Sequence, residues 1–129
     1  MSFDWNLYIS LAAKLIAEAG KFAERESCLR AAISRAYYGA FGLAARVARR
    51  EGLLLKGEAK DHQKLSRYFS ESPSPARKRI GTELARLRKD RNLADYKGRI
   101  RRNLYRQALF SLERARQIAQ ALQKLHKFG

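Results

Sequence analysis

Leu84-Ala-Arg-Leu-Arg-Lys-Asp-Arg-Asn-Leu-Ala-Asp-Tyr96 reads as one run of helix. Leu84, Leu87, Arg91 and Ala94 recur at three, four and three residues and share a stripe. Arg91 therefore occupies an apolar position. Asn92 lies beside it, and Asp95 follows one turn on, within reach of the guanidinium. An arginine on the inward stripe is either a structural ion pair or part of a site, and both readings stand at this point.

Working outward, Ser74-Pro75 suits N-cap and N1, so this helix spans Pro75 to about Tyr96, with Ile80 also inward. Its first turn carries Arg77, Lys78 and Arg79, each unfavourable there by about 0.3–1 kcal/mol at low salt. Solvation tolerates that, and a bound phosphate would turn it into an advantage. Asp95 opposes the dipole at the other end, so Arg91 or Arg88 is expected beside it. Lys97-Gly-Arg-Ile-Arg-Arg102 is a basic turn, and a last helix runs to about Lys127 with Leu104, Ala108, Leu112, Ala115, Ala119 and Leu122 inward.

Towards the N-terminus, a first helix is expected from an Asp4 N-cap, with Phe3 and Tyr8 as a hydrophobic staple. Its expected stripe is Tyr8, Leu11, Leu15 and Ala19, its stop Gly20, and Trp5 a lid on the core. A second helix starts around Glu24 to Ser27 and stops at Gly52. Leu29, Ile33, Tyr37, Ala40, Ala44 and Val47 face inward. Gly39 and Gly42 each cost about 1 kcal/mol relative to alanine in a helix. Together with Ala36 and Ala40 they allow a neighbouring helix to approach closely. Tyr37, Tyr38 and Phe41 are read as core packing. A short helix, Asp61 to Phe69, is expected behind a cap at Asp61.

The 129 residues suffice for one domain with its own core, and 46% hydrophobic with 31% charged residues exclude a disordered chain. Two prolines, eight glycines and abundant Ala, Leu, Arg and Lys give an all-α expectation. The fold expected is an antiparallel four-helix bundle with an additional short helix between helices two and three. A net charge of +16, from 28 Lys+Arg against 12 Asp+Glu, favours polyanionic partners: RNA, DNA or an acidic protein. Cys28 stands alone and there are two histidines, which argues against a disulfide or a zinc site, and no cofactor is expected. No basic segment followed by an apolar run opens the sequence. The stretch Ala31 to Ala48 is too polar to span a bilayer, so a cytoplasmic protein without membrane attachment is expected.

Three stretches together resemble the HEPN superfamily of small helical-bundle proteins, in the branch close to the UPF0332 type. They are Ser34-Arg-Ala-Tyr-Tyr-Gly-Ala-Phe41, Asp61-His-Gln-Lys-Leu65 and Leu87-Arg-Lys-Asp-Arg-Asn-Leu-Ala-Asp-Tyr96. The resemblance covers nearly the whole chain in order and spacing. It implies a homodimer whose two Arg91-bearing helix ends meet in a basic cleft. It also implies a metal-independent endoribonuclease, often the toxin of a toxin–antitoxin pair with a nucleotidyltransferase-type antitoxin. The family motif is an Arg, a polar residue, then a His after four to six positions. Arg91 and Asn92 match its first half, while Tyr96, Lys97 and Gly98 occupy the histidine slots.

Metal-free RNA cleavage needs a base for the 2′-hydroxyl, an acid for the 5′-oxygen and a cation for the phosphorane. On that chemistry the candidate catalytic residues are Arg91, Asn92 and Tyr96, with Asp95 and His62 behind them. His62 supplies an imidazole only if the short helix folds over the cleft; otherwise it is a capping or packing residue. His126 carries no role. Candidate RNA contacts are Arg88, Lys97, Arg99, Arg101, Arg102, Arg77 and Lys78. The alternative reading is a non-catalytic HEPN dimer that binds RNA, a nucleotide or a nucleotidyltransferase, with Tyr96 as a modification site. A purely oligomerising helical protein is a third reading and leaves the charge unexplained.

Overall fold

The computed structural model describes residues 2–100 and 103–128, the side chains beyond 125 excepted. The chain is all-α. The described residues form five helices, α1 (Asn6–Ala17), α2 (Arg25–Arg50), α3 (Lys60–Ser70), α4 (Pro75–Tyr96) and α5 (Leu104–Phe128), and contain no strand. They pack as a helical bundle around one apolar core.

The central element is α2, which touches each of the other four helices. Its buried positions, among them Leu29, Ala32, Ile33, Ala36, Gly39, Ala40, Gly42, Ala44 and Ala48, wrap around more than one face. A helix apolar on several faces must be surrounded. Small side chains let the neighbours come close. A Cβ on Gly39 would lie 2.7 Å from Ile9, and one on Gly42 only 2.1 Å from the Trp5 ring. Trp5 thus covers the core as expected, and α1 runs antiparallel to α2. Gly81 does the same between α3 and α4, where a Cβ would come within 2.5 Å of Ser66 O and Ser70 N.

The first helix departs from its expected reading in phase and length. Ile9, Ala12 and Ile16 are its buried residues, whereas Leu11 is 42% exposed and Tyr8, Leu15 and Ala19 are half-buried. Seating Ile9 on Gly39 rotates the stripe by one residue. The helix closes at Ala17, where Glu18 N–H returns to Lys14 O at 3.0 Å, and Gly20 (φ +85°) belongs to the following turn. Asp4 Oδ1 accepts from Asn6 N–H at 3.0 Å, and the Phe3–Tyr8 staple closes with ring centroids 5.0 Å apart.

At the end of α2, Leu53 N–H bonds Ala48 O at 2.9 Å and Gly52 N–H bonds Arg49 O at 3.0 Å, with Gly52 at φ +102°. That is a Schellman stop. Ser74 caps α4 through its hydroxyl, with Pro75 at the first helical position. Asp61 does not cap α3. Its carboxylate turns back and accepts from the backbone N–H groups of Lys56, Gly57 and Glu58 at 2.6–3.2 Å, which secures the preceding loop.

Candidate functional site

The C-terminal half of α4, the first half of α2 and the start of α3 converge on Arg91. Its side chain is only 15% exposed. One terminal nitrogen donates to Asn92 Oδ1 at 2.7 Å; the other donates to the hydroxyl of Tyr38 and, at 3.4 Å, to that of Tyr96. Nε lies 3.1 Å from Asp95 Oδ2, but its N–H is not directed at that oxygen, so the pair is electrostatic and Nε lacks a hydrogen-bond partner among the described residues. The same Asp95 oxygen accepts from Ser34 Oγ at 3.2 Å. Arg91 is therefore the cationic partner expected for Asp95 at the end of the helix.

Arg88 stands one turn before Arg91, on the same side of α4. Its Nε is also buried without a hydrogen-bond partner, and no ion pair is made to it among the described residues. Of the two guanidiniums, only that of Arg91 has a carboxylate beside it among the described residues. Buried donors left open and like charges at this spacing both disfavour the isolated arrangement. An anion between them would correct both.

The short helix does fold over this corner. The His62 ring stacks on Tyr37 with centroids 5.5 Å apart, leans on Phe41 at 4.6 Å and stands edge-on to Tyr38 at 6.0 Å. Its Nδ1 shares a hydrogen bond with the Tyr37 hydroxyl. Burial, then the charges of Arg88 and Arg91, hold the imidazole below its ordinary pKa of 6.5, with Asp61 opposing. His62 is therefore neutral at pH 7. Burial pushes the Tyr37 hydroxyl far up, so it keeps its proton.

Arginines and tyrosines alternate across the surface beside this cluster. The Arg35 guanidinium lies 4.6 Å from the Tyr8 ring centroid and 5.2 Å from that of Tyr38. Arg91 lies 5.0 Å from the same Tyr38 ring centroid and 5.3 Å from that of Tyr96. Tyr8, Arg35, Tyr38, Arg91 and Tyr96 form one ladder across α1, α2 and α4.

The chain matches no protein-family model, no curated protein and no solved structure. What it can do is therefore read from this geometry. The described residues bring together no group of three His, Cys, Asp or Glu that could hold a metal, and no helix among them is long and apolar enough to cross a membrane.

Of the residues singled out by sequence, Arg88, Arg91, Asn92, Asp95 and Tyr96 gather with His62. Lys97 and Arg99 are exposed on the segment leaving α4. Arg101 and Arg102 lie outside the described residues, as does the side chain of His126. Arg77 and Lys78 stand at the opposite end of α4, about 21 Å away along the axis at 1.5 Å per residue. Arg77 is engaged there, donating to both oxygens of Glu51 at 3.1 and 2.6 Å, with its guanidinium 5.0 Å from the Phe69 ring centroid. It clamps the end of α2 to α3 and α4.

The sequence reading missed Tyr38 as a partner of Arg91, Arg35 as a second guanidinium against that ring, and Ser34 as the support of Asp95. Only the phase of α2 could have flagged them, since 35 and 38 sit one position beyond the buried stripe. Tyr37 was read as core packing; it is that, and it also fixes His62.

Proposed function

We propose that the protein is a HEPN-type, RNA-directed dimer, the endoribonuclease-type toxin of a cytoplasmic toxin–antitoxin pair. In this reading the bundle has the HEPN four-helix arrangement with α3 as its additional helix. The two Arg91 ends face each other across a basic cleft. One observation carries the reading: Arg88 and Arg91, one turn apart and partly buried, leave two buried N–H donors open, and only Arg91 has a carboxylate beside it among the described residues. The phosphodiester of a polyanion supplies the missing negative charge, and a net charge of +16 draws such a chain in.

The chemistry follows from the neighbours. With its proton on Nδ1, His62 donates to Tyr37 Oη and leaves the Nε2 lone pair free. Nε2 takes the proton of the ribose 2′-hydroxyl, and the 2′-oxygen forms a bond to phosphorus while the bond to the 5′-oxygen breaks. The leaving oxygen takes a proton from solvent, giving a 2′,3′-cyclic phosphate and a 5′-hydroxyl end. Arg91 and Arg88 carry the charge of the pentacoordinate phosphorane. The imidazole that the α4 motif lacks thus comes from α3. Asn92 and Asp95 hold Arg91 in place.

The exposure of Tyr96 (74%) favours a second reading. Its hydroxyl stands beside Arg91 and open to solvent, as an acceptor for a nucleotidyltransferase partner would need. A non-catalytic dimer that binds RNA or a nucleotide would then be switched by modification of Tyr96.

Labelled total RNA incubated with the wild type, Arg91→Ala and His62→Gln decides between them. The first reading expects cleavage to 2′,3′-cyclic ends that both substitutions abolish. Binding without cleavage leaves the second. RNA binding and cleavage that are the same with and without Arg91 would remove the site altogether.

A further inference from the structure

The ladder Tyr8–Arg35–Tyr38–Arg91–Tyr96 extends well beyond the catalytic corner. Its first half belongs to α1 and the middle of α2, where the proposed chemistry has no use for it. Tyr8 joins Phe3 and Trp5 in an aromatic cluster with centroids 5.0–5.5 Å apart, which fixes that end of the strip to the core lid. Arg35 donates weakly to Ser34 Oγ at 3.4 Å, and no carboxylate pairs with it among the described residues. Each of the five side chains keeps some surface open, and Tyr96 is largely exposed, with Lys97 and Arg99 exposed just beyond it.

A strip that alternates aromatic faces with cations has one polymer as its chemical complement. Single-stranded nucleic acid alternates flat bases, which stack on aromatic rings, with phosphates, which pair with guanidiniums. A duplex presents only its phosphates, because its bases are stacked on one another and closed to the rings. We infer that the ladder is the track for a single strand of RNA, leading from Tyr8 past Arg35 and Tyr38 to the scissile phosphate at Arg91 and Tyr96. This inference rests on the proposed function, since it supplies the substrate form and path for the same site. The basic segment Lys97 to Arg99 continues the track past the cleavage point.

The test is fluorescence anisotropy of a labelled ten-nucleotide oligouridylate and of a blunt RNA duplex of equal length, with the wild type, Tyr8→Leu, Tyr8→Phe, Arg35→Gln and Arg91→Ala. The wild type is expected to bind the single strand more tightly than the duplex. Tyr8→Leu should weaken single-strand binding about 5- to 160-fold, the range for loss of one base–aromatic stack, and change duplex binding less than twofold. Tyr8→Phe, which keeps the ring, should bind as the wild type. Arg35→Gln should weaken single-strand binding and reduce its salt dependence by the release of about one counterion. Trp5, the single tryptophan, should change its emission when the oligonucleotide covers Tyr8. Melting curves for each variant separate lost contact from lost fold.

Wild-type affinity for Tyr8→Leu and Arg35→Gln alongside weakened binding by Arg91→Ala would overturn the track and leave the Arg91 site standing. Equal affinity for duplex and single strand would also overturn it. Unchanged binding by Arg91→Ala would overturn both.

Discussion

Arg30 at the start of α2 donates to Ala94 O and Gly98 O at the end of α4, 3.1 Å in each case, and also to Lys97 O. The last carbonyls of a helix have no partner within it, and a cation there complements the dipole. The last turn of α4 holds no basic residue of its own, so one is supplied from another helix. Arg30→Ala is expected to cost about 2 kcal/mol, in the range for hydrogen bonds from a charged donor, read as a lower urea midpoint at constant slope. Arg30→Lys should recover less than half of that, because an ammonium cannot reach three carbonyls at once. Unchanged stability in Arg30→Ala would show that water serves these carbonyls equally well.

Two glycines separate movable from immovable neighbours. A Cβ on Gly42 meets the Trp5 ring, which can swing aside, while a Cβ on Gly81 meets Ser66 O and Ser70 N of the α3 backbone. Gly81→Ala is therefore the costlier change, about 3 kcal/mol against about 1–2 kcal/mol for Gly42→Ala, both within the usual overpacking range or just above it. Gly42→Ala should in addition red-shift the fluorescence of Trp5 as the indole moves into water. Equal melting temperatures for the two variants would contradict the close packing of α3 on α4.

Acid should destabilise the fold in two separate windows. His62 is held below its ordinary 6.5 by burial and by Arg88 and Arg91. Its contribution is full above pH 6.5 and is lost as pH falls from there through the lowered value, because the unfolded chain takes up the proton first. Glu51 is held below its ordinary 4.5, first by the hydrogen bond from Arg77. Burial pushes Asp61 up, but the three loop N–H groups leave it below 3.8. Their contributions are present above those values and are lost as pH falls through the lowered ones. Chemical denaturation against pH should thus show a first decline below 6.5 that His62→Gln removes, and a second below 4.5 that Glu51→Gln reduces. A flat profile between pH 6.5 and 5 in the wild type would place His62 in water.

Local chemistry was legible wherever a single residue decides it. Ser74-Pro75, Gly52 and the Leu84–Leu87–Arg91–Ala94 stripe each mark a boundary or a face that the structure keeps. The phase of α1 was not legible, because Ile9, Ala12 and Ile16 compete with an equally apolar Tyr8, Leu11 and Leu15, and the glycines of α2 choose between them. The surroundings of Arg91 were only half legible. Asp95 and Asn92 come from its own helix, whereas Tyr38 lies 53 positions away. Its place depends on how α2 and α4 cross, and His62 depends on the path of the loop that Asp61 secures. Pairings across helices leave no periodicity in either partner.

The carboxylate of Asp95 has the same two partners that a phosphate would want, Arg91 and the hydroxyl of Ser34. Under the proposed function it would therefore compete with the RNA for the charge it holds in position. Asp95→Asn keeps a group able to accept from Ser34 but removes the negative charge. It also relieves an anion at the wrong end of the α4 dipole, which offsets the lost ion pair, so stability should change by less than about 1 kcal/mol. RNA affinity should then rise several-fold, and the dependence of log affinity on log salt should steepen by about one unit, because one more cation is free to displace counterions. Arg91→Ala should shift both quantities the opposite way. Weaker binding by Asp95→Asn at unchanged stability would show instead that the carboxylate is needed to aim Arg91, and that Arg88 is the guanidinium with charge to spare.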